Sequence, residues 1–385
     1  FFLFWFFLNK NKKELLNNNL IVLSLMFWLS LILISFFAYN KEKSLQDAII
    51  FLRYLIIPIC CYFLFFKDQK YLNYLLLLVL ILVFLVSIDT LFQFFNYSSK
   101  DGFGKDLLGF KSNWYGRLTG PFGDELIPGS YVSKFGLVGF TYLLINKKLN
   151  KHNIYKILYL TLILVVCFAS GERMALSTFS LSLFILLIFL YNHRSTILTA
   201  IILGTVIILF IYVTHPFYND YKIIESTQFH QGLIVEKQFN CENDQNKICT
   251  KVINIQPSFF EIIKNFSTSA YGEIFRLSFE MFKSNPITGI GLNNFQELCL
   301  NNNVYREMIV NYDCASHPHN TYIQWLTEGG LIVFCIFIFY LGMIINLIIK
   351  NDGGQEYKII ALVLMLILFW PIMSTGSLIK NWYGV

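Results

Sequence analysis

The sequence predicts an all-α, polytopic membrane helix bundle with one large loop domain. Of the 385 residues, 56% are hydrophobic and 14% are charged, and the mean hydropathy is +0.56. A soluble domain has about a quarter of its residues charged, so the composition indicates an integral membrane protein. The apolar segments are continuous rather than alternating, which favours helices over the strands of a membrane barrel.

Apolar segments of about 20 residues can cross a bilayer as helices. The predicted spans are Leu20–Tyr39, Asp47–Phe66, Tyr71–Phe95, Tyr131–Asn146, Ile154–Ser170, Met174–Tyr191, Thr196–Val213, Thr321–Ile349 and Lys358–Thr375. The chain starts with Phe, and Phe1–Leu8 is too short to span. We expect it to start inside a truncated first helix, which makes about ten transmembrane helices.

The basic residues of the short loops predict the orientation. Counting spans places these residues on one face, which is then cytoplasmic. They are Lys10, Lys12, Lys13, Lys67, Lys70, Lys147, Lys148, Lys151, Lys156, Arg194 and Lys350. The 96–130 loop, the 171–173 turn and the 214–320 loop then share the outer face. We therefore predict an N-terminal transmembrane bundle at 1–213, a periplasmic loop domain at 214–320 and C-terminal transmembrane helices at 321–385.

The large loop contains Cys241, Cys249, Cys299 and Cys314. An even number of cysteines in an oxidising compartment favours disulfides. The simplest pairing joins Cys241 to Cys249 and Cys299 to Cys314. Metal binding is the alternative, but the chain has no CxxC motif, so we predict no metal site.

A polar run leads into the span that begins at residue 321. His317 and His319 lie where this helix meets water, and histidine readily accepts a proton near pH 7. Asn320, Gln324 and Glu328 follow at i+4 spacing and share one helix face. His319 is therefore a candidate base at the mouth of a cavity. Alternatively, His319 and Asn320 cap the helix, and the polar stripe joins neighbouring helices.

Two arginines are candidates for binding an anion. Arg173 follows a tight turn and starts a helix, where its charge opposes the helix dipole but can bind an anion together with exposed amides. A salt bridge with Glu172 or another outer-face carboxylate is the alternative. Arg276 lies in an amphipathic segment with Glu273 and Glu280 at i−3 and i+4, so a surface ion-pair cluster explains it equally well.

The 96–130 loop contains polar residues in a stretch interrupted by Gly and Pro. Arg117, Asp124 and Glu125 lie in it, and Asp89 and Gln93 lie near the end of the preceding helix. Carbohydrate binding needs carboxylates, amides and aromatic rings, so these residues predict a sugar-binding rim. Ordinary loop hydrogen bonding is the alternative for any one of them.

Three short motifs follow one another along the predicted outer face. They are Ser-Gly-Glu-Arg-Met-Ala at 170–175, Asn-Pro-Ile-Thr-Gly-Ile-Gly at 285–291, and His319-Asn320 followed by nine residues and Gly330. In this order they resemble the O-antigen ligase and O-antigen polymerase superfamily over most of residues 71–375. The ligase pattern continues with two residues and then Gly, Thr or Tyr, whereas this chain has Val333.

The resemblance implies an inverting, metal-independent glycosyltransferase of the GT-C type, without a cofactor. Such enzymes take a glycan from undecaprenyl diphosphate at the outer face of the bacterial inner membrane. A ligase transfers it to the lipid A core, and a polymerase transfers it to another repeat unit. The motif at His319 favours the ligase, and the polymerase is the alternative function. Membrane lipid is a further expected partner, and nucleic acid is not.

The resemblance also implies residue roles. His319 matches the base, and Arg173 and Arg276 match the arginines that bind the diphosphate. We expect all three around one pyrophosphate-sized gap at the periplasmic edge. A substrate-binding rim would contain Arg117, Asp124, Glu125, His317, Asn320, Gln324 and Glu328.

Two other classes compete with the transferase. A transporter or flippase would have midplane charges, such as Arg53 and Asp89, but also repeat symmetry, which this sequence lacks. A membrane sensor or scaffold with an extracellular domain does not account for the polar stripe after the loop. The gathering of charged residues at the outer face favours an enzyme.

Overall fold

The computed structural model describes most of the chain. The described residues are 19–67, 69–99, 101–112, 116–220, 235–241, 244–253, 264–310, 313–351, 353–372, 376–377 and 379, with backbone only for 58–67, 69, 147 and those within 235–253. The expected truncated helix at Phe1–Leu8 lies outside them.

Helices dominate the described residues. In chain order they are α1 (Asn19–Ser35), α2 (Lys41–Lys67), α3 (Gln69–Phe95), α4 (Pro128–Ile145), α5 (Lys147–Asn150), α6 (Asn153–Ala169), α7 (Arg173–Phe189), α8 (Arg194–Thr214), α9 (Ala270–Ser284), α10 (Phe295–Asn301), α11 (Asn303–Glu307), α12 (Thr321–Lys350) and α13 (Gln355–Leu368). Two short antiparallel hairpins accompany them, β1 (Tyr97–Ser98) with β2 (Gly102–Phe103) and β3 (Val235–Cys241) with β4 (Asp244–Ile253).

Helices of membrane-spanning length confirm the membrane class. Among the described residues, Lys70–Phe95, Tyr191–Thr214 and Thr321–Lys350 are long and apolar enough to cross a bilayer. Asn19–Ser35 and Asn153–Ala169 are among the shorter apolar helices. The helical fold is therefore established, while the total of about ten spans and the periplasmic domain stay predictions.

The last predicted span, Lys358–Thr375, is wrong at its C-terminal end. Helix α13 has 14 residues and stops at Leu368. Pro371 explains the early stop, because proline has no backbone N–H and its ring clashes with the preceding turn. The carbonyls of Phe369 and Pro371 instead accept hydrogen bonds from Tyr322 and Asn320 of α12, at 2.7 Å each.

The chain forms two compact units. The first unit comprises Phe1–Leu72, Ile262–Asp352 and Phe369–Val385, and the second comprises Asn73–Glu261 and Gly353–Leu368. In the first unit, α1 packs against α2 and α12, and α9 also packs against α12. Buried Trp325 of α12 meets the ring of Phe27 edge-on at 5.3 Å.

The second unit has its core between α4, α6, α7, α8 and α13. Phe140, Leu160 and Phe179 are fully buried there. A smaller cluster covers the end of α3, where Phe94 stacks on His215 with ring centroids 4.2 Å apart. These apolar contacts fix the helix ends that carry the candidate site residues of this unit.

Candidate functional site

The N-terminus of α12 organises the candidate site in the first unit. Asn320 is its N-cap: the side-chain oxygen accepts hydrogen bonds from the backbone N–H groups of Tyr322 and Ile323, at 3.0 and 3.1 Å. Its amide also donates to the Pro371 carbonyl. The capping role expected as an alternative therefore applies to Asn320, which is buried and holds the helix end in place.

His319 precedes the cap residue, so the capping alternative does not extend to it. Its backbone is left-handed, with φ of 55°, a conformation that is uncommon for residues other than glycine. Its ring contacts the edge of Tyr271 at 6.2 Å and the His317 ring at 4.1 Å between centroids. Such a conformation persists only when its surroundings enforce it, and it is typical of functional sites.

The His317 ring packs against the His319 ring within the same loop. His317 is 8% exposed, and its Nδ1 lies 2.9 Å from the Ser316 hydroxyl. The loop is tethered just upstream by a disulfide between Cys299 of α10 and Cys314, with Cα atoms 5.9 Å apart. This is one of the two pairings suggested by the sequence. The side chains of the other pair, Cys241 and Cys249, lie outside the described residues.

Burial also shapes the chemistry of His319. Loss of contact with water lowers the pKa of the His319 imidazole below its ordinary value of 6.5. The ring is therefore neutral at pH 7. A neutral imidazole with a free nitrogen lone pair can accept a proton from a hydroxyl group.

The expected polar stripe is present on α12. Gln324 and Glu328 are both buried, and the Gln324 amide donates to the Glu328 carboxylate at 3.0 Å and to the Ser377 hydroxyl at 2.8 Å. The contact with Ser377 joins α12 to the C-terminal segment of the same unit. The stripe thus makes hydrogen bonds inside the protein, and the cavity expected beside it stays a prediction.

Helix α12 is broken at Gly330, where φ is 63° and ψ is −171°. The segment 285–291 fills the break. On one side, the carbonyls of Thr327 and Glu328 accept from the N–H groups of Ile290 and Gly291, each at 3.0 Å. On the other side, Leu331 donates to the Pro286 carbonyl at 2.9 Å, and Ile332 donates to Ile287 at 3.3 Å.

This pairing explains how a helix of membrane-spanning length tolerates a break. Backbone groups freed inside a membrane protein must find partners within the protein. The two motifs at 285–291 and 319–330 are therefore parts of one structural device. The break at Gly330 separates the first turns of α12, which follow the histidine loop, from the long apolar remainder of the helix.

Arg276 lies on α9, the helix that also carries Tyr271. The Arg276 side chain is exposed, and its Nη2 donates to the Met308 carbonyl at 2.5 Å. Of its two expected carboxylate partners, Glu273 is buried and accepts from the Val310 N–H at 3.2 Å, and Glu280 pairs with Lys283 at 2.7 Å.

In the second unit, Arg173 is the first residue of α7, as expected. The preceding Glu172 is 8% exposed and turns its carboxylate towards the N-terminus of α4. It accepts from the Gly129 N–H at 2.7 Å, from the Ser130 N–H at 3.2 Å and from the Ser130 hydroxyl at 2.5 Å. A carboxylate is favoured at this position by the helix dipole.

Arg117 belongs to the same cluster. Its guanidinium donates to the Leu126 carbonyl at 2.6 Å and lies 4.0 Å from the Glu172 carboxylate. Burial raises the pKa of the Glu172 carboxyl, while Arg117 and the donors of Ser130 and Gly129 oppose that rise. The cluster joins the 171–173 turn to the loop before α4.

The remaining rim candidates lie in and beside the 96–130 loop. Asp124 is exposed, and the pKa of neighbouring Glu125 is raised by burial and by Asp124. Asp89 accepts from the Leu107 N–H at 2.9 Å, and Gln93 accepts from Thr119 and Gly120 at 3.1 and 3.0 Å. Asp89 and Gln93 thus make the loop hydrogen bonds that were the alternative to sugar binding.

No group of three or more His, Cys, Asp or Glu side chains suitable for a metal ion occurs within the described ranges. The arrangements in the two units instead offer a neutral imidazole in one and guanidinium groups in both. These groups can accept a proton and bind an anion, respectively.

Comparison with known protein families shows what part of the chain is similar to. Residues 158–338 match the family described as O-antigen ligase. Over these residues the chain is similar to the O-antigen ligase and polymerase superfamily. The resemblance drawn from the three motifs is confirmed, because the matched range contains all of them. No curated protein matches the sequence. The match and the apolar helices together support a membrane enzyme of the O-antigen ligase/polymerase type.

The sequence did not indicate several residues of the candidate site. Tyr271, Ser316 and Ser377 support the histidine loop and α12, and Glu172 was considered only as a partner of Arg173. The paired glycines at 329–330 in an apolar span were a usable signal for the helix break, since glycine in a helix interior is unfavourable.

Proposed function

We propose that this O-antigen ligase superfamily member transfers a glycan from undecaprenyl diphosphate to the lipid A core at the periplasmic face of the bacterial inner membrane. The observation that carries the proposal is the family match over residues 158–338, which contains Arg173, Arg276 and His319. The neutral, conformationally constrained His319 supports the assignment of the base.

The proposed reaction inverts the sugar C1 centre without a metal. A hydroxyl oxygen of the acceptor attacks C1, the bond from C1 to the diphosphate oxygen breaks, and undecaprenyl diphosphate leaves with the bonding electron pair. His319 takes the hydroxyl proton. General-base catalysis of this kind contributes roughly a hundredfold or more to the rate.

Arg173 and Arg276 are proposed to bind the diphosphate. Negative charge grows on the leaving oxygens as the C1–O bond breaks, and a guanidinium keeps its charge and donates in a planar fork. For Arg276, the exposed guanidinium and its position on the helix of Tyr271 support the role. For Arg173, the support is its place in the 170–175 motif at the start of α7.

The polymerase is the second candidate. Val333 favours it, because the ligase pattern has Gly, Thr or Tyr at that position, and Val333 is fully buried here. A polymerase would use a second lipid-linked repeat unit as the acceptor, with the same leaving group and the same base.

The test uses the purified full chain in proteoliposomes with an undecaprenyl-diphosphate-linked glycan. Lipid A–core is supplied in one reaction, and lipid-linked repeat units alone in another. Glycosylated lipid A–core identifies a ligase, and longer lipid-linked chains identify a polymerase. Lack of transfer in both would contradict the transferase.

Variants assign the residues in the same assay. His319→Ala and Arg276→Ala should each reduce turnover by about a hundredfold or more. Arg306→Ala is the control, because Arg306 is an exposed arginine of the same unit, on α11. Full turnover by His319→Ala would reject His319 as the base.

A further inference from the structure

An open cavity of about 660 Å³ lies at the end of the α4–α6 hairpin in the second unit. Its lining consists of Lys148, Asn150, Lys151 and His152. Lys148, Lys151 and His152 are exposed. The sequence from Asn146 to Ala169 contains no carboxylate, so this segment gives the lysines no counter-charge of its own.

The lining is held in place from two sides. The Asn146 side chain caps α5 by accepting from the N–H groups of Lys148 and Leu149, at 3.1 and 3.2 Å. Lys156, which is 1% exposed, donates from Nζ to the carbonyl and the side-chain oxygen of Asn150, at 2.9 Å each. The cavity wall is thus organised before any ligand arrives.

Next to the cavity, α6 presents apolar side chains to the outside. Ile154, Tyr155 and Leu158 are each at least half exposed, at 53%, 50% and 53%. The Tyr155 ring meets the His152 ring edge-on, with centroids 5.9 Å apart. A cationic cavity bordered by an apolar helix wall matches a molecule with an anionic head and hydrocarbon chains.

We propose that this cavity binds the phosphate headgroup of an anionic phospholipid, with Lys148, Lys151 and His152 on the phosphate and Ile154 and Leu158 along the acyl chains. Lysines at the membrane surface attract anionic lipids. The apolar wall distinguishes this ligand from free phosphate, which would gain nothing from Ile154 and Leu158. None of these residues is among those assigned to glycan transfer.

The test measures lipid binding to the full chain. The purified protein is placed in nanodiscs of phosphatidylcholine with or without phosphatidylglycerol, and the lipids retained after release are identified by native mass spectrometry. Wild-type protein should retain phosphatidylglycerol over phosphatidylcholine. The double variant Lys148→Gln/Lys151→Gln should weaken that retention on the order of tenfold or more.

Lys105→Gln/Lys111→Gln is the matched control. It removes two exposed lysines from the same unit outside the cavity and should leave phosphatidylglycerol retention unchanged. A further sample contains inorganic phosphate in phosphatidylcholine nanodiscs. Equal retention of the two lipids by the wild type, equal losses in both double variants, or phosphate binding without phosphatidylglycerol retention would each overturn the proposal.

Discussion

Gly289 and Gly330 face each other across the break in α12. A Cβ atom on Gly289 would lie 2.6 Å from the Gly330 amide nitrogen, and both glycines have positive φ angles, of 69° and 63°. Neither position has room for a side chain or a backbone that suits one. The close approach lets the 285–291 segment satisfy the backbone groups that the break releases.

Gly289→Ala and Gly330→Ala should therefore each destabilise the protein. The added methyl group must displace backbone atoms, and the alanine must keep a positive φ that is unfavourable for it. Together these effects cost on the order of 2 kcal/mol or more. The melting temperature of the purified protein in detergent checks this. Gly342→Ala is the control on the same helix, because a Cβ there meets nothing within 4 Å; a similar loss in all three variants would contradict the prediction.

The helices were predictable because long apolar runs specify them almost alone. The predicted Tyr71–Phe95 and Thr321–Ile349 correspond to helices Gln69–Phe95 and Thr321–Lys350. The filling of the α12 break was not predictable, since it depends on hydrogen bonds between segments about 40 residues apart in sequence, and periodicity carries only local information. The left-handed backbone of His319 was missed for the same reason.

Glu172→Gln should weaken the attachment of α4 to the 171–173 turn. Both carboxylate oxygens of Glu172 accept hydrogen bonds from Gly129 and Ser130, whereas an amide would present an NH2 group to one of these donors. An unsatisfied buried group costs about 1–3 kcal/mol. Chemical denaturation measures the loss.

Glu280→Gln is the comparison for Glu172→Gln. Glu280 forms an ion pair with Lys283 at 2.7 Å in which both side chains are exposed, at 41% and 53%. Exposed ion pairs contribute little to stability, so Glu280→Gln should change the free energy of unfolding by less than about 1 kcal/mol. If Glu280→Gln were the more damaging change, the anchoring role of Glu172 would be wrong.

Reduction of the Cys299–Cys314 disulfide should destabilise the first unit and slow transfer. The bond closes a loop with a sequence separation of 15, for which the loss of chain entropy predicts about 3 kcal/mol. Cys314 also lies three residues before His317, so the histidine loop would lose its tether. Cys299→Ser/Cys314→Ser should lower both the melting temperature and the turnover.

Cys335→Ser serves as the control for that pair. Cys335 is a free, exposed cysteine of α12, and its replacement should leave stability and turnover unchanged. Reducing agent should then affect the wild type and Cys335→Ser alike, but not the double variant. Sensitivity of the double variant to reductant would show that another bond is responsible.

The pH dependence of transfer should reflect the burial of His319. Its pKa is lowered from 6.5 because the charged imidazole is poorly solvated in the site. The neutral form, which acts as the base, therefore persists below pH 6.5, and turnover should fall only as the pH drops through the lowered value. The contribution of His319 to the free energy of unfolding changes in the same direction. It is fully present above pH 6.5 and is lost as the pH falls through the lowered pKa.

Tyr271→Ala tests whether burial of His319 sets the pH dependence. Removing the ring that lies against His319 admits water, so the acidic limb of the turnover profile should move up towards pH 6.5. Tyr305→Ala, a change to a half-buried tyrosine that donates to Ser284 in the same unit, should leave the limb in place. An acidic limb above pH 6.5 in the wild type would mean that burial does not control the base, because a solvated imidazole already titrates at that value.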